Sequence, residues 1–172
     1  YLIYFFLMEF MYRYFIQQLP VVELESLLHL PIGKSKIMHI LLLRSFISPI
    51  NIIALLLFLP FGIQVILPAS GAIGLIGWIG SIVLTSWILH WFMLWFKQRF
   101  EDSTIGLLIV VAVLFLGSGS SYMGWFNLGE IMKPVFDLSI ATPIPVIVLA
   151  FLFVASYWLC FKYYFNNAYL ED

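Results

Sequence analysis

VVELESLLHLPIGKSKIMHILLLRS, residues 21–45, is the stretch that leaves the lipid in a chain that reads as membrane-spanning helix before and after it. It is where charge, proline, glycine and a polar face interrupt an otherwise apolar sequence for long enough to make a surface. Leu24, Leu27 and Leu28 fall on one helical face, with Glu23, Glu25, Ser26 and His29 elsewhere. That is the pattern of a short amphipathic helix at an interface. Pro20 ends the segment before it, Pro31 stops it, and Gly33 supplies a turn. Ser35 fits an N-cap for the next helix, without a capping box because Met38 stands three residues on. The expectation is a cytoplasmic amphipathic elbow over residues 21–45, gripped by a partner protein and joined to membrane helices on both sides.

Composition supports lipid as the solvent. The chain has 172 residues, 63% hydrophobic and 10% charged, against about 45–50% and about 25% in ordinary soluble domains. So much apolar surface cannot be hidden in a water-soluble core of this size. The net charge of -1 gives no reason to expect nucleic acid. The single cysteine, Cys160, leaves no internal disulfide and no cysteine pair for a metal. The first sixteen residues are apolar but carry neither a basic leader nor a small-residue cleavage site. The chain opens at Tyr1 with helical character already established, and is expected to be a piece of a longer protein.

Outward from the elbow, the sequence predicts an all-α polytopic bundle of about five spans. Residues 1–17 form an aromatic helix of roughly 25 Å, close to the length a span needs. In it Glu9 and Arg13 stand four apart, acid first, the better order for a helical ion pair. Charge within lipid is costly and functional by default; the plainer expectation is pairing near the interface. Residues 37–67 would reach about 46 Å as helix, more than the roughly 30 Å hydrocarbon core. Lys36, His39 and Arg44 therefore belong outside it or at its edge, Pro49 and Asn51 kink the run, and the strict span is 49–67.

A turn at residues 67–70 leads to a span at 71–96. There Gly71, Gly74, Gly77 and Gly80 recur every third residue, a small-residue stripe suited to close helix packing. Trp87, Trp91 and Trp95 read as a headgroup belt. A charged loop (KQRFEDS, residues 97–103) precedes a span at 104–123. The outer segment 122–143 mixes aromatic and charged residues and is expected to lie along the opposite membrane face. The last span is 143–161. With the elbow inside, Arg13, Lys34, Lys36, Arg44, Lys97, Arg99 and Lys162 fall at the inner side and only Lys133 outside, seven against one.

Catalytic chemistry is not indicated. Gly33-Lys34-Ser35 lacks the earlier glycine of a phosphate loop, since position 28 is Leu. No metal-ligand spacing is present, and no catalytic, cofactor-binding or metal residue is assigned. His39 and His90 leave haem ligation as a minor redox alternative.

The elbow resembles the coupling helix that membrane subunits of type-2 ABC exporters carry between their second and third spans. Those read as an acidic start, a leucine-rich turn, Leu-Pro-Val/Ile, a few polar residues, then Ile. Here the matching run is Glu25-Ser26-Leu27-Leu28-His29-Leu30-Pro31-Ile32-Gly33-Lys34-Ser35-Lys36-Ile37. The Gly-Thr pair common before the leucines is replaced by Glu25-Ser26. The sequence is closer still to an uncharacterised bacterial ABC-permease family. It shares with it Tyr12-Arg13-Tyr14-Phe15, Gln17-Gln18-Leu19-Pro20-Val21, Ser45-Phe46, Asn51-Ile52 and the closing Tyr169-Leu170-Glu171-Asp172. The similarity covers most of this chain and the middle of those longer proteins.

The resemblance implies a multi-pass permease of the bacterial cytoplasmic membrane that does not hydrolyse nucleotide itself. A separate ABC ATPase would bind the elbow through Glu23, Glu25, Leu27, Leu28, Leu30, Pro31, Ile32, Lys34 and Lys36, and a second permease half or a second copy would complete it. The rival expectation is a non-transporting scaffold or accessory subunit of a larger membrane complex, using its glycine and tryptophan stripes as packing surfaces. No substrate is indicated.

Overall fold

Where lipid replaces water, each backbone N–H and C=O has to be paired within its own segment, which leaves helices or closed barrels. In the computed structural model, which describes residues 2–17, 33–100, 104–125 and 127–167, every regular element is a helix. In chain order these are α1 (Leu2–Ile16), α2 (Lys34–Phe46), α3 (Ile50–Phe61), α4 (Leu67–Phe100), α5 (Thr104–Tyr122), α6 (Leu128–Ala141) and α7 (Ile144–Asn167). A π-helical turn, Gly62–Ile66, joins α3 to α4.

Among the described residues, two stretches are long and apolar enough to cross a membrane: Lys34–Phe100 and Ile144–Asn166. Their most apolar windows are only 17% and 11% buried. The core helix of a soluble protein would be mostly covered, so this apolar exposure supports membrane association. Leu56, Ile73, Phe115, Phe151 and Leu159 are among the large apolar side chains left uncovered.

The first stretch is folded, not straight. Gly71 has φ 72 and ψ -176, and the chain reverses there. Residues on its two sides pack against each other: Phe58 and Phe61 both meet Trp78, and Gly62 faces Leu75 and Ile79. This corrects two expectations. The turn is not at residues 67–70, which remain helical, and Gly71 is not a packing glycine, since nothing lies within 4 Å of where its Cβ would be. Pro68 fixes φ near a helical value and cannot reverse the chain; a residue at positive φ can, and glycine enters that region without steric penalty.

A second break separates α2 from α3 at residues 47–49. Pro49 has no N–H to offer the Ser45 carbonyl one turn back, and at the end of α2 the Phe46 carbonyl accepts from Asn51 Nδ2 at 2.6 Å. The expected kink at Pro49 and Asn51 is thus a helix break with a side-chain cap. The helix that follows Gly33 starts without a side-chain cap, so Ser35 does not serve as one.

Helix α2 also corrects the extent of the elbow. Ile37, Met38, Leu41 and Leu42 form an i, i+1, i+4, i+5 stripe that is buried against Trp91, Leu94, Cys160 and Tyr164. Residues 37–45 are therefore a wall of the bundle, with Lys36, His39 and Arg44 on the exposed face. The rest of the elbow, including Glu23, Glu25, Leu27, Leu28, Leu30, Pro31 and Ile32, lies outside the described residues.

The helices share two ends. At one, Lys97 Nζ donates to the Gln17 carbonyl at 2.6 Å, a Cβ on Gly106 would meet Phe100 and Tyr14, and Lys34 lies 4.8 Å over the Phe165 ring. Lys36, Arg99 and Lys162 belong to the same end. At the other, α6 docks on α1 and the start of α4: Phe136 stacks on Phe6 at 6.0 Å, and Gly74 and Gly77 abut Ile140 and Ser139. The outer segment is thus a 14-residue helix packed on the bundle, carrying Lys133. The tryptophan stripe faces α2 and α7 more than a headgroup layer. Trp91 is 1% exposed and stacks on Phe46, Trp87 also packs on Phe46, and Trp95 alone reaches the rim.

Candidate functional site

Helix α1 sets Glu9 and Arg13 one turn apart on the same face, and the structure buries both completely. The Arg13 Nε and Nη2 groups donate to Glu9 Oε1 at 2.9 and 2.6 Å. The pair expected near the interface is in the interior, because α3 and α4 bring polar side chains to it. Arg13 Nη1 donates to Asn51 Oδ1 at 2.9 Å and Nη2 to Ser86 Oγ at 3.0 Å. Ser86 Oγ in turn donates to Glu9 Oε1.

The fifth guanidinium N–H completes the set. Arg13 Nη1 also faces His90 Nδ1 at 3.5 Å, a long contact. Arginine can only donate, so this geometry places the imidazole proton on Nε2. There it faces Ser45 Oγ at 3.4 Å, whose own hydrogen goes to the Leu42 carbonyl at 2.7 Å. All five arginine donors therefore have acceptors from α1, α3 and α4. A buried ion pair is tolerable only when its remaining hydrogen-bonding capacity is met.

The acid is less completely held than the base. Glu9 Oε2 and the nearby Tyr12 hydroxyl are buried with no hydrogen-bond partner among the described residues. The network extends toward the basic end through Gln17, whose Nε2 donates to the His90 carbonyl at 3.2 Å and whose own carbonyl receives Lys97. Asn51 has a double role: its Oδ1 receives Arg13, and its Nδ2 caps the α2–α3 break. Trp87 Nε1 reaches the Asn51 carbonyl at 3.3 Å.

This arrangement can hold helices in register. Its one carboxylate is neutralised by the arginine, and no group of three or more His, Cys, Asp or Glu stands together among the described residues. His39 and His90 are engaged separately. His39 Nδ1 pairs with the Tyr157 hydroxyl at 2.5 Å and its ring stacks 4.2 Å from Phe161. His90 faces Arg13 and Ser45.

The other expected site residues are dispersed. Gly74 and Gly77 pack on α6, Gly80 has only an ordinary 3.8 Å approach from Val146, and Gly71 is the reversal. Lys34 and Lys36 open α2 at the basic end. Ser86, Asn51 and Gln17 join the network without any motif in the sequence to mark them. The available signal was that each is a polar residue within an apolar run, at a depth matching the acid–base pair.

Against known proteins, no curated protein and no solved structure matches this chain. A family model described as a family of unknown function (DUF5687) matches residues 1–172, and the chain belongs to that family.

Proposed function

We propose that this DUF5687 member is the membrane-spanning permease subunit of an ABC-type exporter, driven in trans by an ATPase seated on the elbow at residues 22–36. In this reading α1, α2–α3, α4, α5 and α7 make five crossings of the bacterial cytoplasmic membrane. The basic end lies in the cytoplasm, following the bias of lysine and arginine toward that side. Helix α6 caps the outer face before the last crossing, as the resemblance to type-2 exporters implies.

The observation that carries the proposal is the position of the Glu9–Arg13 network. The elbow has two arms: α1 runs into it and α2 runs out of it. Arg13 sits one turn from the end of the first arm, and Asn51 sits at the hinge that ends the second. Arg13 meets Ser86 and His90 of α4, and the Asn51 carbonyl meets Trp87 of the same helix. A displacement of the elbow therefore reaches α4 through charged and capped contacts rather than through greasy surfaces that can slide. That is what a chain without its own energy source needs from a coupling segment. A second copy of the chain, or a different permease half, would complete the pathway.

The test is purification through a tag in nanodiscs, with co-purifying proteins identified by mass spectrometry. A stoichiometric ATP-binding-cassette protein is expected, and a variant combining Glu23→Lys, Glu25→Lys, Lys34→Glu and Lys36→Glu is expected to lose it. A stable complex of other membrane proteins without an ATPase would replace the permease reading with that of a scaffold subunit.

A further inference from the structure

Helices α4 and α7 run side by side toward the basic end. Trp87 meets Phe153, Trp91 meets Tyr157, and Trp95 meets Tyr163, while the Tyr164 hydroxyl bonds the Leu94 carbonyl at 3.3 Å. Beside this seam lies an open groove of about 570 Å³, lined among others by Ile88, Phe92, Trp95, Ser156, Leu159 and Lys162. Its volume is within the roughly 300–1,000 Å³ of ligand sites.

The groove has a direction. From Ser156 to Asn166, both of which line it, the wall of α7 rises about 15 Å. That is half of a roughly 30 Å hydrocarbon core, the depth of one leaflet. Its deep part is aromatic and aliphatic. Among the described residues lining it, Lys162, at the basic end, is the one charged group. The ammonium lies 5.3 Å from the ring of Trp158, one turn earlier on α7, an attractive cation–aromatic distance. Asn166 adds a polar group there. An apolar slot one leaflet deep with a cation at its mouth is complementary to a chain-bearing molecule with an anionic head.

We infer that the α4–α7 groove holds one anionic phospholipid of the leaflet at the basic end, an acyl chain along Ile88, Phe92 and Leu159 and the phosphate at Lys162. The inference rests on the membrane-crossing part of the proposed function and is independent of whether an ATPase binds.

The test is native mass spectrometry of the full chain released from mild detergent, with added phosphatidylglycerol or phosphatidylcholine. The wild type is expected to retain one phosphatidylglycerol and to lose phosphatidylcholine. Lys162→Gln should weaken retention about fivefold. Ser156→Leu, which narrows the deep end and keeps the charge, should weaken it by at least as much, and Lys133→Gln at the opposite end should leave it unchanged. Equal retention of phosphatidylcholine, or wild-type retention in either groove variant, overturns the assignment. Loss of the ATPase partner with lipid retention intact would count against the permease reading alone.

Discussion

Arg13→Met is expected to destabilise the purified protein by about 3–5 kcal/mol, the cost of stranding a buried charge without its partner. The carboxylate left behind is fully enclosed, and Oε1 loses both guanidinium contacts while Oε2 has no other partner among the described residues. Ser86 cannot replace them with one hydroxyl. Glu9→Met should cost a similar amount, since the arginine would then be the stranded ion. The double variant, Glu9→Met with Arg13→Met, should recover at least half of either loss, because two methionines of suitable shape remove the desolvation penalty of both ions. What remains is the unpaired Asn51 Oδ1, worth about 1–3 kcal/mol. Equilibrium unfolding in detergent, followed by tryptophan fluorescence, measures the cycle. Additive losses, or a loss under about 1 kcal/mol in the Arg13 variant, would show that the pair is not the charged junction described. The double variant also separates structure from coupling: it should fold, and its ATPase stimulation should fall.

Gly77→Ala is the second large effect. A methyl at this position would overlap the backbone carbonyl of Ser139 on α6, which has no rotamer to relieve the clash. Either α6 moves or α4 bends, at a cost of about 1–3 kcal/mol and several degrees of Tm. Gly80→Ala is the internal control. The nearest atom there is Val146 Cγ1 at 3.8 Å, so the change should be neutral or slightly stabilising through helix propensity. Matching melting curves for the two variants would mean that α6 does not seat on Gly77.

Much of the helical layout is legible in the sequence because long apolar runs punctuated by proline and charge leave few alternatives. The segments expected at 104–123 and 143–161 are helical, as α5 and as α7, which runs on to Asn167. What the sequence hides is which of several equivalent residues does the special work. Four glycines at equal spacing look alike, yet Gly71 turns the chain, Gly74 and Gly77 pack, and Gly80 does neither strongly. That difference depends on where α6 returns, some sixty residues later. The acid–base pair is local and so can be read from its spacing, whereas Ser86 lies 77 residues from Glu9 and joins it only through the fold. In sequence, Lys36, His39 and Arg44 give α2 the character of a surface segment, and they do form its exposed face. The Ile37, Met38, Leu41, Leu42 stripe on its other face carries the tertiary information.

Everything proposed for function depends on the elbow and α6 facing opposite sides of a membrane. The direct measurement is labelling of single cysteines by a membrane-impermeant maleimide, in a Cys160→Ser background, at Lys36→Cys on α2 and Glu130→Cys on α6. Both positions are exposed in the structure. The expected result is that Glu130→Cys reacts in intact cells and Lys36→Cys reacts only after permeabilisation. Reaction of both from the same side would contradict the five-crossing arrangement, and with it the placement of the elbow against a cytoplasmic ATPase.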